Sequence, residues 1–197
     1  MVTRAELVSR LERAFLDHGY AQLTMITIAG IVDVTRRTLY NYFSSKEEAF
    51  RFLIEQANAN AVEAGMAAGR AALAAGDDAV EILATVLDIR YGDTRRRLSQ
   101  SPHAIEINDQ AFRRCRDIMV GSAIAFQDKL AAFIVELEQQ GILRVRKSVS
   151  PEDLAQLLAD GARGTNQSLP PIAPDKLHLR YRGMVRALLH GTLEGGG

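Results

Sequence analysis

The stretch Thr24–Lys46, TMITIAGIVDVTRRTLYNYFSSK, constrains this chain more than any other. It reads as two short helices joined by a tight turn, followed by the start of a further helix. Thr24 is placed to cap the first of them, which extends to about Val32 on the apolar set Ile28, Ala29 and Val32. Ala29 and Gly30 are small and would let another helix come close. The turn falls at Asp33–Val34, where such a junction favours a positive φ. Glycine adopts that conformation freely, and aspartate tolerates it better than most residues, at some cost.

Thr35 is the next cap, for a helix from Arg36 to about Phe43. Leu39 and Phe43 are four residues apart and should face inward, with Val34 plugging the turn. The outer face then carries Arg36, Arg37, Thr38, Asn41 and Tyr42, with Tyr40 towards one side. Ser44–Ser45 breaks this helix, and Ser45-x-x-Glu48 is a capping box for the one that follows.

These side chains suit a duplex. A helix-turn-helix lays its second helix in the major groove while the first crosses the backbone. Arginine bridges guanine O6 and N7 or clamps a phosphate. Thr38 and Asn41 are short partners for base edges or phosphate oxygens. Tyr40 and Tyr42 combine a hydroxyl with an apolar body. Thr24, Thr27 and Thr35 open helices, as does Lys46, where free backbone N–H groups already favour a phosphate.

Charge supports this only through placement. Over residues 1–47, six basic residues face five acidic ones, a local net of +1, and the whole chain is neutral. The positive charge is concentrated at Arg36, Arg37 and Lys46.

The rest of the chain reads as amphipathic helices with no period-two strand pattern. A first helix over 3–18 repeats Leu7, Leu11 and Phe15, with Gly19 as its left-handed stop and Tyr20 folding back. A long fourth helix spans Lys46 to about Ala75, its second half weakened by Gly65 and Gly69. A fifth runs from the Asp78-x-x-Glu81 box to about Arg90, Gly92 breaks it, and a short sixth fits 93–100. Ser101–Pro102 resembles a cap with a proline behind it, leaving open whether 102–108 is a separate turn. A seventh helix extends to Gln140. An eighth starts at Ser150–Pro151 with Leu154, Leu157 and Leu158 on one face. Gly161 to Pro174 reads as a loop, and a ninth helix from Pro174–Asp175 carries Leu177, Tyr181, Met184, Val185 and Leu188 before Gly191 and the GGG tail end it. The expected fold is all-α, about nine helices, with a three-helix N-terminal domain at 1–46 and a larger helical domain at 47–197.

Several function classes find no support. No run approaches the roughly 18 uninterrupted apolar residues of a membrane span. The N-terminus lacks the apolar core of a signal peptide, so the expected location is the cytoplasm, with no membrane partner. The single Cys115 allows no internal disulfide and reads as a half-buried structural thiol. His103, Glu106 and Asp109 share a three-residue spacing, but without cysteines or a second histidine nearby they make a poor metal set. No nucleophile–base constellation or phosphate loop appears, so neither an enzyme nor a cofactor is expected.

The segment TMITIAGIVDVTRRTLYNYFSSKEEAF, with FLDHGYAQLT before it, resembles the DNA-binding signature of the TetR/AcrR transcriptional regulators. The likeness covers residues 5–55 closely and the remainder only in helix layout. It implies DNA contacts at Thr24, Thr27, the strip Arg36 to Tyr42, and Lys46. Asp33 departs from the signature at the turn glycine, as does Gly30–Ile31 before it. It also implies a homodimer and a small-molecule effector between helices four and eight that moves helix four. Expected pocket residues are Ile89, Phe112, Met119, Ser122 and Phe126, which with few charges inside suit an apolar ligand. Expected dimer residues are Leu154, Leu158, Tyr181, Met184 and Leu188 on helices eight and nine. The function these imply is a homodimeric repressor released from a palindromic operator. A DNA-binding adaptor controlled by a protein partner is the alternative, and a helical enzyme or scaffold the outsider.

Overall fold

The computed structural model describes residues 3–192, with side chains as far as His190; the GGG tail lies outside them. Among these residues the fold is all-α. The helices are α1 (Arg4–Gln22), α2 (Met25–Ile31), α3 (Arg36–Tyr42), α4 (Lys46–Ala75) and α5 (Ala79–Leu87). A π-helical turn, Asp88–Gly92, leads into α6 (Asp93–Ser99). Then come α7 (Ala104–Arg114), α8 (Arg116–Gln139), α9 (Pro151–Asn166), a 3-10 turn at Pro174–Lys176, and α10 (Leu177–Thr192).

The chain packs as two compact units. One comprises residues up to Asn60 together with Arg97–Ser122; the other comprises Ala61–Arg96 and the chain from Ala123 onward. The first unit therefore takes in α7, which sequence alone assigned to the larger domain.

In the first unit, α1 starts with a complete capping box, Thr3 with Glu6. Gly19 takes φ +72°, as expected, yet the chain stays helical to Gln22 across this kink. A Cβ there would clash with the Glu106 carboxylate and lie 2.8 Å from His103 Nδ1, so the N-terminus of α7 needs that glycine. Phe15, Tyr20 and Phe50 form an aromatic cluster, with centroids 4.9 Å (Phe15–Phe50) and 5.1 Å (Tyr20–Phe50) apart. Leu7, Leu11, Ile28, Leu39, Phe43, Ile107 and Cys115 complete this core.

The expected seventh helix is two. It breaks at Cys115, whose φ/ψ of −126°/23° leaves the helical region. The thiol is fully buried rather than half-buried, and burial pushes its pKa up to about 11. Ser101 accepts the His103 N–H at 3.0 Å and donates to the Leu16 carbonyl, so 102–103 forms a turn before α7. The Ser45 box is half as read. Ser45 accepts the Glu48 N–H, but the Glu48 carboxylate bonds Ser44 instead, at 2.6 Å to both its N–H and its hydroxyl.

In the second unit Gly76 and Gly141 follow the ends of α4 and α8 with positive φ, as expected, but other glycines predicted to break helices do not. Gly92 sits inside the π turn, so 79–99 is continuously helical. Gly161 and Gly164 lie within α9, and the expected loop from Gly161 starts only after Asn166; Gly191 likewise lies inside α10. Close approach explains Gly65, Gly69 and Gly161. A Cβ on Gly65 would meet the Val86 carbonyl at 2.9 Å, one on Gly69 would clash with Val86 and lie 3.1 Å from Phe133, and one on Gly161 would be 2.8 Å from Met184 Sδ.

By length and composition α8 is long and apolar enough to cross a membrane, with a mean hydropathy of 1.6 over its most apolar window. It holds no run of about 18 uninterrupted apolar residues, as the sequence reading has it. Gln127, Asp128 and Lys129 interrupt its apolar run, and Phe126, Leu130, Phe133, Ile134 and Leu137 pack into the core of the second unit.

Gly30 has the opposite surroundings. It is exposed and nothing lies within 4 Å of a Cβ there, so no helix comes close at that position. Gly30→Ala should therefore raise stability by about 0.5–1 kcal/mol through helix propensity, while Gly69→Ala should lower it by about 1–3 kcal/mol through overpacking. Urea denaturation midpoints of the two variants check both signs.

Candidate nucleic-acid interface

The helix-turn-helix is built from local bonds. Thr24 Oγ1 accepts the Thr27 N–H at 3.2 Å while Thr27 Oγ1 accepts the Thr24 N–H at 2.8 Å, a reciprocal box that starts α2. Val32 N–H closes the last turn on Ile28, and Val34 N–H reaches back to Ala29 at 3.0 Å. Between them Asp33 takes φ +58°, the only positive-φ residue other than glycine among the described residues. Arg10 of α1 steadies this turn. Its Nη1 donates to the Val32 carbonyl at 2.8 Å and lies 3.8 Å from the Asp33 carboxylate. Sequence reading missed Arg10, because its partner is 22 residues away.

Thr35 Oγ1 accepts the Thr38 N–H at 3.1 Å and so starts α3. Leu39 is fully buried and Phe43 nearly so, while Val34 packs half-buried beside them. This orientation turns Arg36, Arg37, Tyr40, Asn41 and Tyr42 outward, Tyr40 and Tyr42 being about half exposed. Arg36, Arg37 and Asn41 make no side-chain bond within the described structure, so their donors are available to a partner. Thr24, Thr27 and Thr35 are exposed and Thr38 half-exposed, although all four hydroxyls already serve caps. Ile26 on α2 is an exposed apolar residue beside these, and it carries no polar signal by which sequence could single it out.

Lys46 differs. Its ammonium donates to the Tyr20 carbonyl at 2.8 Å and lies 4.3 Å from the centre of the Tyr20 ring. Burial lowers its pKa from the usual lysine value. The expected phosphate contact is thus engaged inside the protein in this structure.

The expected pocket residues do not come together within one unit. Phe112, Met119 and Ser122 belong to the first; Ile89 and Phe126 belong to the second. Phe112 is exposed, whereas Phe126 is fully buried, edge-on to Tyr91 at 5.7 Å. Buried charges are few among the described residues. Asp88 and Arg90 are both buried in the second unit, at the π turn, and the Arg90 guanidinium lies 5.7 Å from the Phe126 ring centre. In the first unit an open groove of about 750 Å³ runs beside Tyr42, floored by Leu7, Phe43, Phe52 and Ile118.

The dimer residues need a similar correction. Leu154, Leu158 and Tyr181 are fully buried within their own unit, and Met184 and Leu188 are half-buried against its core. The α9 and α10 faces that carry them are covered intramolecularly, because α10 packs on α5 as well as on α9. Among the described residues no group of three or more His, Cys, Asp or Glu side chains could hold a metal; His103 and Glu106 pair at 3.6 Å, and Asp109 is exposed.

The fold and this strip define a helix-turn-helix protein with an all-helical companion unit. Residues 7–51 match the family model described as bacterial regulatory proteins, tetR family. The chain is 38% identical over 53 residues to the HTH-type transcriptional regulator TtgR of Pseudomonas putida and, equally, to the probable regulator ArpR of that species. That match covers 27% of this chain and a quarter of each relative's length. A TetR transcription regulator from Haloarcula marismortui has a similar structure, with TM-score 0.68 at 18% identity, covering 96% of this chain and 97% of that one. So has SmeT, the repressor of the Stenotrophomonas maltophilia multidrug efflux pump SmeDEF, with TM-score 0.63 at 15% identity, covering 98% and 92%. SmeT in complex with triclosan is similar at TM-score 0.64 and 16% identity, covering 100% of this chain and 94% of that one. The match to the tetR-family model is confined to residues 7–51, and the chain as a whole is similar in fold to these solved regulators.

Asp33 stands where the junction strains its backbone, and its carboxylate is solvent-exposed. Asp33→Gly should raise stability by up to about 1 kcal/mol by relieving the left-handed conformation. Thermal unfolding of the variant beside wild type measures the change.

Proposed function

We propose that this protein is a sequence-specific DNA-binding transcriptional regulator that acts as a homodimer. The observation that carries this reading is the α3 strip, where Arg36, Arg37, Tyr40, Asn41 and Tyr42 stand outward with Leu39 and Phe43 buried behind them. Arginine supplies a pair of donors, and asparagine a donor with an acceptor, for base edges, and tyrosine hydroxyls suit phosphates. A single module of this kind reads few bases, so two copies on a palindromic site supply specificity.

The dimer reading moves to the outward faces of α9 and α10. On α10, Leu179, Gly183 and Ala187 recur every four residues and are all exposed; on α9, Leu157 and Gly164 are. Glu152 and Asp153 are exposed on α9, and Arg180 and Arg186 on α10. In a two-fold interface, α9 of one copy against α10 of the other sets acidic beside basic side chains and lets the small residues approach closely. Leu179→Asp should convert the protein to a monomer in analytical ultracentrifugation, and an unchanged dimer mass would refute this face.

The same reading makes the protein a cytoplasmic repressor released by a small apolar ligand. Its support is the likeness in fold to SmeT, a repressor that has been solved with triclosan. The guanidinium of Arg90 beside Phe126 gives such a ligand a polar neighbour. Control by a protein partner without a ligand is the second reading, favoured by the full burial of Phe126.

Selection of duplexes from a random library provides the operator for the test. On it, Arg37→Ala and Tyr42→Ala should each weaken binding by about 1–3 kcal/mol, on the order of ten- to a hundredfold, with the dimer unchanged. Full affinity in both variants would end the DNA-reading assignment of α3.

A further inference from the structure

Three charged side chains converge on the dipeptide Tyr20–Ala21 at the end of α1. Lys46, the first residue of α4, bonds the Tyr20 carbonyl and lies on the Tyr20 ring. Arg114, the last residue of α7, places its guanidinium 4.7 Å from the centre of the same ring while pairing with Glu47. Glu106, in the first turn of α7, accepts the Ala21 N–H at 2.6 Å. Both ends of α7 thus land where Lys46 is held. Their charges act on its ammonium in opposite senses, Glu106 favouring the charged form and Arg114 opposing it.

An ammonium that gives one N–H to a backbone carbonyl and rests on a ring offers a phosphate only its remaining donors, from a position that the protein fixes. Lys46 is long and flexible, so the two positions compete. We propose that Lys46 is a switched phosphate contact, held on Tyr20 when DNA is absent and biased towards or away from that position by Glu106 and Arg114 of α7. This rests on the DNA-binding reading above and adds the residues through which α7 sets affinity. Glu106 stabilises the held ammonium, so its loss frees Lys46 for DNA. Arg114 repels it, so its loss leaves Lys46 more firmly held.

The experiment measures binding of the full chain to a short mixed-sequence duplex and to the selected duplex across a salt series. Lys46→Met should weaken binding and reduce the slope of log affinity against log salt by about one. Glu106→Gln keeps an acceptor for the Ala21 N–H and should tighten binding about two- to fivefold, the scale of one exposed charge pair. Arg114→Gln should weaken it by a similar factor, and Arg114→Lys should restore wild-type affinity. Both effects should vanish in the Lys46→Met background, since they act through Lys46. An unchanged salt slope in Lys46→Met overturns the proposal. So does persistence of the Glu106→Gln and Arg114→Gln effects in that background, which would assign them to packing between α1 and α7. Failure of the wild type to bind either duplex defeats the DNA-binding reading and the proposal together. Binding that is sensitive to Arg37→Ala but not to Lys46→Met defeats the proposal alone.

Discussion

The packing of Tyr20 against Phe15 and Phe50 is the contact on which the first unit depends. It fixes the end of α1 against the first turns of α4, and the floor beneath α3 continues from it through Leu39 and Phe43. Burying three aromatic rings contributes several kcal/mol by area alone. The ring's remaining surface is used for charge, with Lys46 and Arg114 both seated on it. One side chain therefore supports the helix-turn-helix and also meets two charged side chains, Lys46 and Arg114. The Gly19 kink makes this possible, because the positive φ turns the chain so that Tyr20 folds inward and the start of α7 can close over it.

The second unit solves a different problem. Its core is aliphatic, yet the π turn directs Asp88 and Arg90 inward. A π turn inserts an extra residue into the helical ladder and shifts the face that follows. Burying these charges would be costly without partners. Asp88 has Arg96 at 2.5 Å and His178 at 3.4 Å, and His178 also reaches Glu81 at 2.8 Å. Those contacts tie α10 to α5 through polar side chains as well as through Tyr181, Val185 and Leu189. The same packing consumes the apolar faces of α9 and α10 and leaves their small and charged faces outward.

Much of the first unit was legible in the sequence. The caps Thr24 and Thr35, the turn at Asp33, the inward pair Leu39 and Phe43, and the full span of α4 are all where the residue pattern puts them. Glycines misled wherever a neighbouring helix needed the space. Gly65, Gly69 and Gly161 read as weak points and are instead close-approach positions. The break at Cys115 carries no proline or glycine to announce it. Leu154, Leu158 and Tyr181 show why an apolar face does not name its partner. Their spacing says that the face is covered but not what covers it, and within this chain α5, α9 and α10 cover one another.

What the sequence by itself determined is the local structure. Helix caps act between residues three apart, the turn strain belongs to one residue, and helical periodicity selects which side of α3 is buried and which is exposed. What only the tertiary structure decided are the contacts between residues far apart in the chain. Arg10 on Val32, Lys46 on Tyr20, and Glu106 on Ala21 are long-range bonds between flexible or charged side chains, which have several possible partners each. The sequence shows that Lys46 starts a helix and carries a charge. Whether that charge faces a phosphate or a carbonyl depends on how α1 and α7 close around it.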